Sequence, residues 1–356
     1  MTNEQPPDDS DVPLAIPVSL LTGFLGSGKT TLLNKILSSP NMEETAVLIN
    51  EYGDISIDHL LVEKIDENVV LLEGGCVCCS VRGDLSTAMR DLLVRRADGT
   101  IPPFRRLIIE TTGLADPAPV IHTLITDPVA AGRYRLDGII TTVDGVLGWD
   151  TLDRFDESLK QVAVADRIII TKTDIADKQY IANLKKRLSA LNPGATHITP
   201  TNGKINISNL FNAGLFDGDT TPHPQKWLSI DAVKNAEHSR NNNHRHRHGH
   251  KHGKDSDIYA FSITNDKPIK WEAFTEWLDM LLTTQGDKIL RMKGVLDIEG
   301  QEKPIAVHGV QHVFYPPQQL DKWADGARLS QMVMITKNLG EKIIRETFDR
   351  FVIQQK

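Results

Sequence analysis

Residues 23 to 30 read G-F-L-G-S-G-K-T, and no other stretch of this chain restricts its fold as tightly. They satisfy G-x-x-x-x-G-K-[ST] at every position. They lie between an apolar run, Ile16 to Thr22, and a segment, Lys29 to Ser38, whose Leu32, Leu33, Ile36 and Leu37 suit one helix face. Strand, glycine-rich turn and helix in that order make a cradle. Glycines at 23, 26 and 28 let the backbone curl until its N–H groups share one concavity, and the start of the helix adds partial positive charge there. The expected phosphate-binding set is Gly23, Gly26, Ser27, Gly28, Lys29, Thr30 and Thr31, with Lys29 reaching the β and γ phosphates and Thr30 holding Mg²⁺.

Further apolar runs at Thr45 to Ile49, Val69 to Leu72, Leu107 to Ile109, Gly138 to Val143 and Arg167 to Ile170 are mostly too uniform to have one wet face. Helical patterns at Gly83 to Arg96, Pro117 to Asp127 and Asp177 to Leu191 fall between some of them. Buried strands alternating with helices predict an α/β fold over residues 14–215, a mostly parallel sheet of the P-loop NTPase type with helices on both faces. Residues 1–13 are expected to be a disordered tail, and 216–256 a polar, histidine-rich linker. Residues 257–356 predict a smaller α+β domain. Ile258 to Ile263 and Lys293 to Ile298 alternate like half-buried strands, and Ile305 to Val313 and Met332 to Ile335 are further strands. Lys270 to Leu282 and Leu339 to Phe351 are helical.

A net charge of -7 on 356 residues argues against a nucleic-acid partner, and no window approaches the apolar length of a membrane helix. All three cysteines fall between 76 and 79, so a framework of long-range disulfides is excluded and a reducing, cytoplasmic setting is expected.

Two further segments suit a nucleotide switch. In L-I-I-E-T-T-G, residues 107 to 113, Glu110 ends a buried strand and can organise the Mg²⁺ shell, while Gly113 can offer its N–H to a γ-phosphate. In T-K-T-D, residues 171 to 174, Asp174 can accept from the guanine ring N–H and amino group while the stem of Lys172 covers the base. Adenine lacks that donor pair, so GTP is preferred to ATP. No residue stands out as the base or as the group that positions the attacking water, so slow hydrolysis is expected.

E-G-G-C-V-C-C at 73 to 79 sets three soft ligands in four residues, suited to zinc or Cu(I) and less readily to cobalt or nickel. Cys76, Cys78 and Cys79 converge only if the loop turns, since an extended strand would point Cys79 away from the other two. Reduced structural thiols, or a redox pair of Cys76 and Cys79, are the alternatives. His244, His246, His248, His250 and His252 alternate with Arg245, Arg247, Gly249 and Lys251, a pattern that binds divalent ions loosely or serves as a solvated connection. His308 and His312 read as ordinary strand and loop residues.

Taken together, G-F-L-G-S-G-K-T, N-E-Y-G at 50 to 53, G-G-C-V-C-C, E-T-T-G, T-K-T-D and H-G-V-Q-H-V-F at 308 to 314 resemble the CobW family of metal-linked GTPases. The resemblance covers nearly the whole chain. It implies GTP and GDP as ligands with Mg²⁺, slow hydrolysis and a Cys-x-Cys-Cys zinc site of Cys76, Cys78 and Cys79, with cobalt or nickel as alternatives. It also implies Glu110 as the Walker B carboxylate, Lys172 and Asp174 as base readers, Glu51 near the metal or switch, and a C-terminal domain that meets a client metalloprotein. Self-association is a further expectation. Rival readings are a metal buffer using the cysteines and histidines, or an ATP-using P-loop enzyme. Thr171 departs from the asparagine that many GTPases carry, and its hydroxyl has a shorter reach from guanine to the phosphate loop.

Overall fold

The computed structural model describes residues 15–42, 44–50, 70–73, 81–200, 205–212, 227–234, 257–323 and 328–354. The first domain runs β1 (Ile16–Gly23), α1 (Lys29–Leu37), β2 (Thr45–Asn50), β3 (Val70–Glu73), α2 (Val81–Ala97) and β4 (Arg106–Thr111). It continues through α3 (Ala118–Thr126), α4 (Pro128–Arg133), β5 (Tyr134–Asp144), α5 (Gly148–Arg154), α6 (Asp156–Val164), β6 (Arg167–Thr171), α7 (Lys178–Leu191) and β7 (Thr196–Ile198). The strands form one seven-stranded sheet in the order β3-β2-β4-β1-β5-β6-β7. Every neighbouring pair is parallel. Helices cover both faces, which explains why Val18, Leu20 and Leu21 of the central β1 are all inaccessible to solvent.

Parallel pairing brings all the strand C-termini to one edge, and the flanking strands β4 and β5 open a crevice at the end of β1, where ligands of such sheets bind. Helices α4, α5 and α6 and strand β7 carry no clear apolar period in the sequence. Helix α4 begins anew at Asp127, whose side chain accepts from the N–H groups of Val129 and Ala130. Pro128 has no N–H with which to continue α3.

The second domain contains β8 (Ile258–Asn265), α8 (Trp271–Gln285), β9 (Ile289–Leu296), β10 (Ile305–Val310), β11 (Val313–Phe314), β12 (Gln318–Gln319), β13 (Ser330–Lys337) and α9 (Glu341–Phe348). Its antiparallel sheet has the order β11-β10-β9-β13-β8, with β12 on β10. Phe274 and Trp277 of α8 and Phe348 of α9 form the core on one face, with the Trp277 and Phe348 rings edge-on at 5.1 Å.

The expected half-buried strand at Lys293 to Ile298 is instead β9, which starts at Ile289 and is buried at all eight positions. The face expected to be wet lies against the first domain. Ile258, Ala260, Leu290 and Ile335 share a core with Leu159, Leu184 and Leu188. Arg291 and Lys293 both donate to Asp166 Oδ1, at 2.9 and 2.8 Å, and Asp166 Oδ2 accepts from the N–H of Ile139. Burial favours the neutral acid, but the two cations hold the Asp166 carboxyl well below the usual carboxylate range.

The expected strand from Ile305 to Val313 is likewise divided. β10 and β11 form a hairpin closed by Gln311 and His312, with Val310 paired to Val313. Inside the stretch expected to be a polar linker, residues 227–234 form a short helical segment. Trp227, Leu228, Ile230 and Val233 are buried there against Val295, Ala306 and Val333 of the second sheet. No helix among the described residues is long and apolar enough to cross a membrane.

Candidate nucleotide site

At the C-terminal end of β1 the backbone turns through three glycines with positive φ, Gly23 at 142°, Gly26 at 71° and Gly28 at 90°. Such angles are costly for residues carrying a Cβ. At Gly23 space is also lacking, since a Cβ would stand 2.2 Å from Thr142 Oγ1. Gly23→Ala is therefore expected to weaken nucleotide binding about ten- to a hundredfold, measured by equilibrium titration with a fluorescent GTP analogue.

The loop is braced from both neighbouring strands. Ser27 Oγ and Thr142 Oγ1 share a 2.6 Å hydrogen bond, and Thr111 Oγ1 donates to Thr22 Oγ1 at 2.8 Å. Lys29, buried in the first turn of α1, donates from Nζ to the carbonyl of Gly23 at 3.0 Å. Thr30 Oγ1 donates to Glu110 Oε1 at 3.3 Å, so the two oxygen groups expected around Mg²⁺ meet although they are 80 residues apart. Hard oxygen donors converging at the mouth of a phosphate cradle fit that cation. Thr31 is exposed one residue further along α1.

Gly113 follows β4, and here too a side chain would collide, its Cβ coming within 2.6 Å of Leu25 N. The expected γ-phosphate sensor therefore rests on the phosphate loop itself. Beside the phosphate loop, β6 ends at Thr171, the first residue of T-K-T-D. Thr171 Oγ1 donates to the Ser27 carbonyl at 2.7 Å, so the hydroxyl does reach the phosphate loop despite its length. Lys172 takes a left-handed φ of 52° and its Nζ meets Asp144 Oδ2 at 2.7 Å, while Asp174 is exposed at the rim. A cleft of about 250 Å³ opens beside the loop, lined by Phe24, Ser27, Thr142, Asp144, Phe155 and Gln161 among others.

Residues 17–199 match the family described as CobW/HypB/UreG, nucleotide-binding domain, and residues 258–352 match the cobalamin synthesis protein cobW C-terminal domain. The chain belongs to the CobW family. This CobW chain is 36% identical over 333 residues to the zinc chaperone YjiA of Escherichia coli, a match covering 94% of this chain and 98% of that protein. It is 28% identical to the zinc-regulated GTPase metalloprotein activator 1 of Saccharomyces cerevisiae, covering 93% of this chain and 82% of the relative. The crystal structure of Zn(II)-bound YjiA GTPase from E. coli superposes with a TM-score of 0.69 at 32% identity, covering 95% of this chain and 99% of the other.

Two residues that sequence patterns did not single out also stand at the candidate nucleotide site of this CobW chain. Asp144 anchors Lys172 and accepts from the N–H groups of Val146 and Leu147. The readable signal was a carboxylate followed by glycine at the end of the apolar run I-I-T-T-V-D-G. Gln161 donates from Nε2 to the carbonyls of Gly113 at 3.2 Å and Ala115 at 3.0 Å, a role with no local sequence signature. Glu51, Cys76, Cys78, Cys79 and the five histidines from His244 to His252 lie outside the described residues.

Proposed function

We propose that this protein is a GTP-hydrolysing metallochaperone that holds zinc through Cys76, Cys78 and Cys79 and yields it to a client metalloprotein as the bound nucleotide changes. Strand register supports the reading. Glu110 pairs with Ile49 of β2, Ile49 with Glu73 of β3, and Leu21 of β1 with Glu110. Glu73, which leads directly into the cysteine segment, is thus two strands from Glu110, about 10 Å at ordinary strand spacing. β2 ends at Asn50, immediately before Glu51. Both connections leave the same edge as the phosphate loop, so a γ-phosphate that orders one segment bears on the other.

Hydrolysis needs water attacking the γ-phosphate in line with the departing GDP. Lys29 turns its ammonium from the Gly23 carbonyl to the phosphates, and the N–H groups of the loop and of Gly113 stabilise the charge that develops on the transferred group. Thr30 and Glu110 would hold Mg²⁺, which neutralises phosphate charge. Three thiolates leave a fourth coordination position for Glu51, water or a client's ligand, as a transfer site requires. Softness favours zinc, as do the names of the relatives, with cobalt and nickel as competitors. The histidines from His244 to His252 act as weak auxiliary ligands.

The test is a zinc titration with a non-hydrolysable GTP analogue and again with GDP. Zinc affinity is expected to differ about tenfold between the two states. Cys78→Ala abolishes the tight site, while deletion of residues 241–252 leaves it in place. Equal affinity in both nucleotide states would reduce the protein to a metal buffer.

A further inference from the structure

We infer that Gln311, contributed by the second domain, positions the γ-phosphate-sensing loop, so that the GTPase site is completed across the domain boundary. The inference rests on the GTPase reading above. Gln311 closes the two-residue turn between β10 and β11 and is 8% exposed. On either side of it, Val310 and Val313 are buried in the first domain's core with Ile121 and Leu124 of α3. From this fixed turn Gln311 Nε2 donates to Asp116 Oδ2 at 2.7 Å, a contact between residues 195 positions apart.

Asp116 ends the strip Gly113-Leu114-Ala115-Asp116 that follows E-T-T. Its Oδ1 accepts from the N–H of Ala118 at the start of α3, and its Oδ2 also accepts from Lys160 Nζ at 3.0 Å. Gln161 grips the strip from α6 through the carbonyls of Gly113 and Ala115, and Gly113 rests on Leu25 of the phosphate loop. The strip is therefore held by the phosphate loop, by α6 and, at its far end, by the second domain.

The choice of residue at 311 points the same way. Its φ of 53° lies in the left-handed region, where asparagine and glycine are the usual occupants of hairpin turns. Glutamine is worse for the turn than asparagine but longer by one methylene. Reach to Asp116 is what it adds. Releasing Asp116 loosens the Gly113 N–H assigned to the γ-phosphate, a group GDP lacks, so the effect should fall on turnover and spare GDP binding.

Two full-length variants test this by GTP turnover, with melting temperature as the check on folding. Gln311→Asn suits the turn but cannot reach Asp116; kcat is expected to fall about tenfold while KM and GDP affinity stay within about twofold. Gln311→Glu sets two carboxylates together, which repel when both are ionised and bond when they share a proton. Its activity relative to the unmodified chain should therefore recover as pH is lowered from 8 to 6. The other charged or titratable groups nearby are Lys160 from α6 and His312 with His122 of α3, whose rings lie 6.2 Å apart; the same ratio is therefore measured again with His122→Gln and His312→Gln in both proteins, where the recovery should persist. A folded Gln311→Asn variant as fast as an active unmodified chain, or a pH-independent Gln311→Glu ratio, overturns the inference alone. An unmodified chain that turns over no GTP overturns the parent reading, and this inference with it.

Discussion

Replacing Asp174 by asparagine is expected to lower GTP affinity by about a hundred- to a thousandfold, because two charge-assisted hydrogen bonds from guanine to one carboxylate are exchanged for a mismatched amide. An amide can accept from the ring N–H, but its NH₂ then faces the exocyclic amino group donor to donor. Xanthine carries a carbonyl at that position. The same variant should therefore bind xanthosine triphosphate better than GTP, an inversion that general damage to the fold cannot produce. Asp174 is exposed at the rim and serves no core contact, so its melting temperature should be unchanged. Competition titrations with GTP, XTP and ATP provide the measurement. Equal loss of all three nucleotides would place the base elsewhere, and unchanged GTP binding would remove Asp174 from the site.

The second large effect belongs to Asp166, which is 5% exposed between the domains. Asp166→Ala leaves Arg291 and Lys293 buried without their shared anion, and is expected to cost about 3–5 kcal/mol of unfolding free energy, read by denaturant titration. Adding Arg291→Met and Lys293→Met should return much of that loss, since the penalty lies in uncompensated charge. A single Asp166→Ala variant as stable as the parent would show that the ion pairs carry no net weight. The acid dependence follows from the depressed carboxyl. A folded value below the unfolded one, about 4, makes this contribution complete above that pH and lost as pH falls toward the folded value. The interdomain contact should accordingly weaken only in strong acid.

The phosphate loop was legible in the sequence because its geometry depends on what glycine alone permits. Gly23, Gly26 and Gly28 declare their backbone angles by lacking a side chain, and buried parallel strands declare themselves by uniform apolarity. The remainder of the site, and the contact between the domains, are built from long-range contacts. Asp166 meets Arg291 125 residues later and Asp116 meets Gln311 195 residues later, distances at which no local period carries information. Arg291 and Lys293 even mislead, since a charged residue alternating with apolar ones looks like a wet strand face until a second domain covers it. Thr171 misleads in the opposite direction. Its hydroxyl looks too short to replace an amide, but β6 ends close enough to the phosphate loop for it to reach the Ser27 carbonyl. For Asp144 the strand-ending D-G was a usable sign, whereas Gln161 had none, its task being set by where α6 crosses the sheet.

The proposed function requires linkage between nucleotide and metal. Because coupling is reciprocal, the decisive measurement is GTP-analogue affinity at increasing free zinc, with GDP affinity as the parallel series. Zinc is expected to shift the analogue and GDP curves unequally, by the same factor of about ten that nucleotide imposes on zinc, and Cys78→Ala to abolish the shift. Two curves that stay superimposed in ratio from zero to saturating zinc would contradict it.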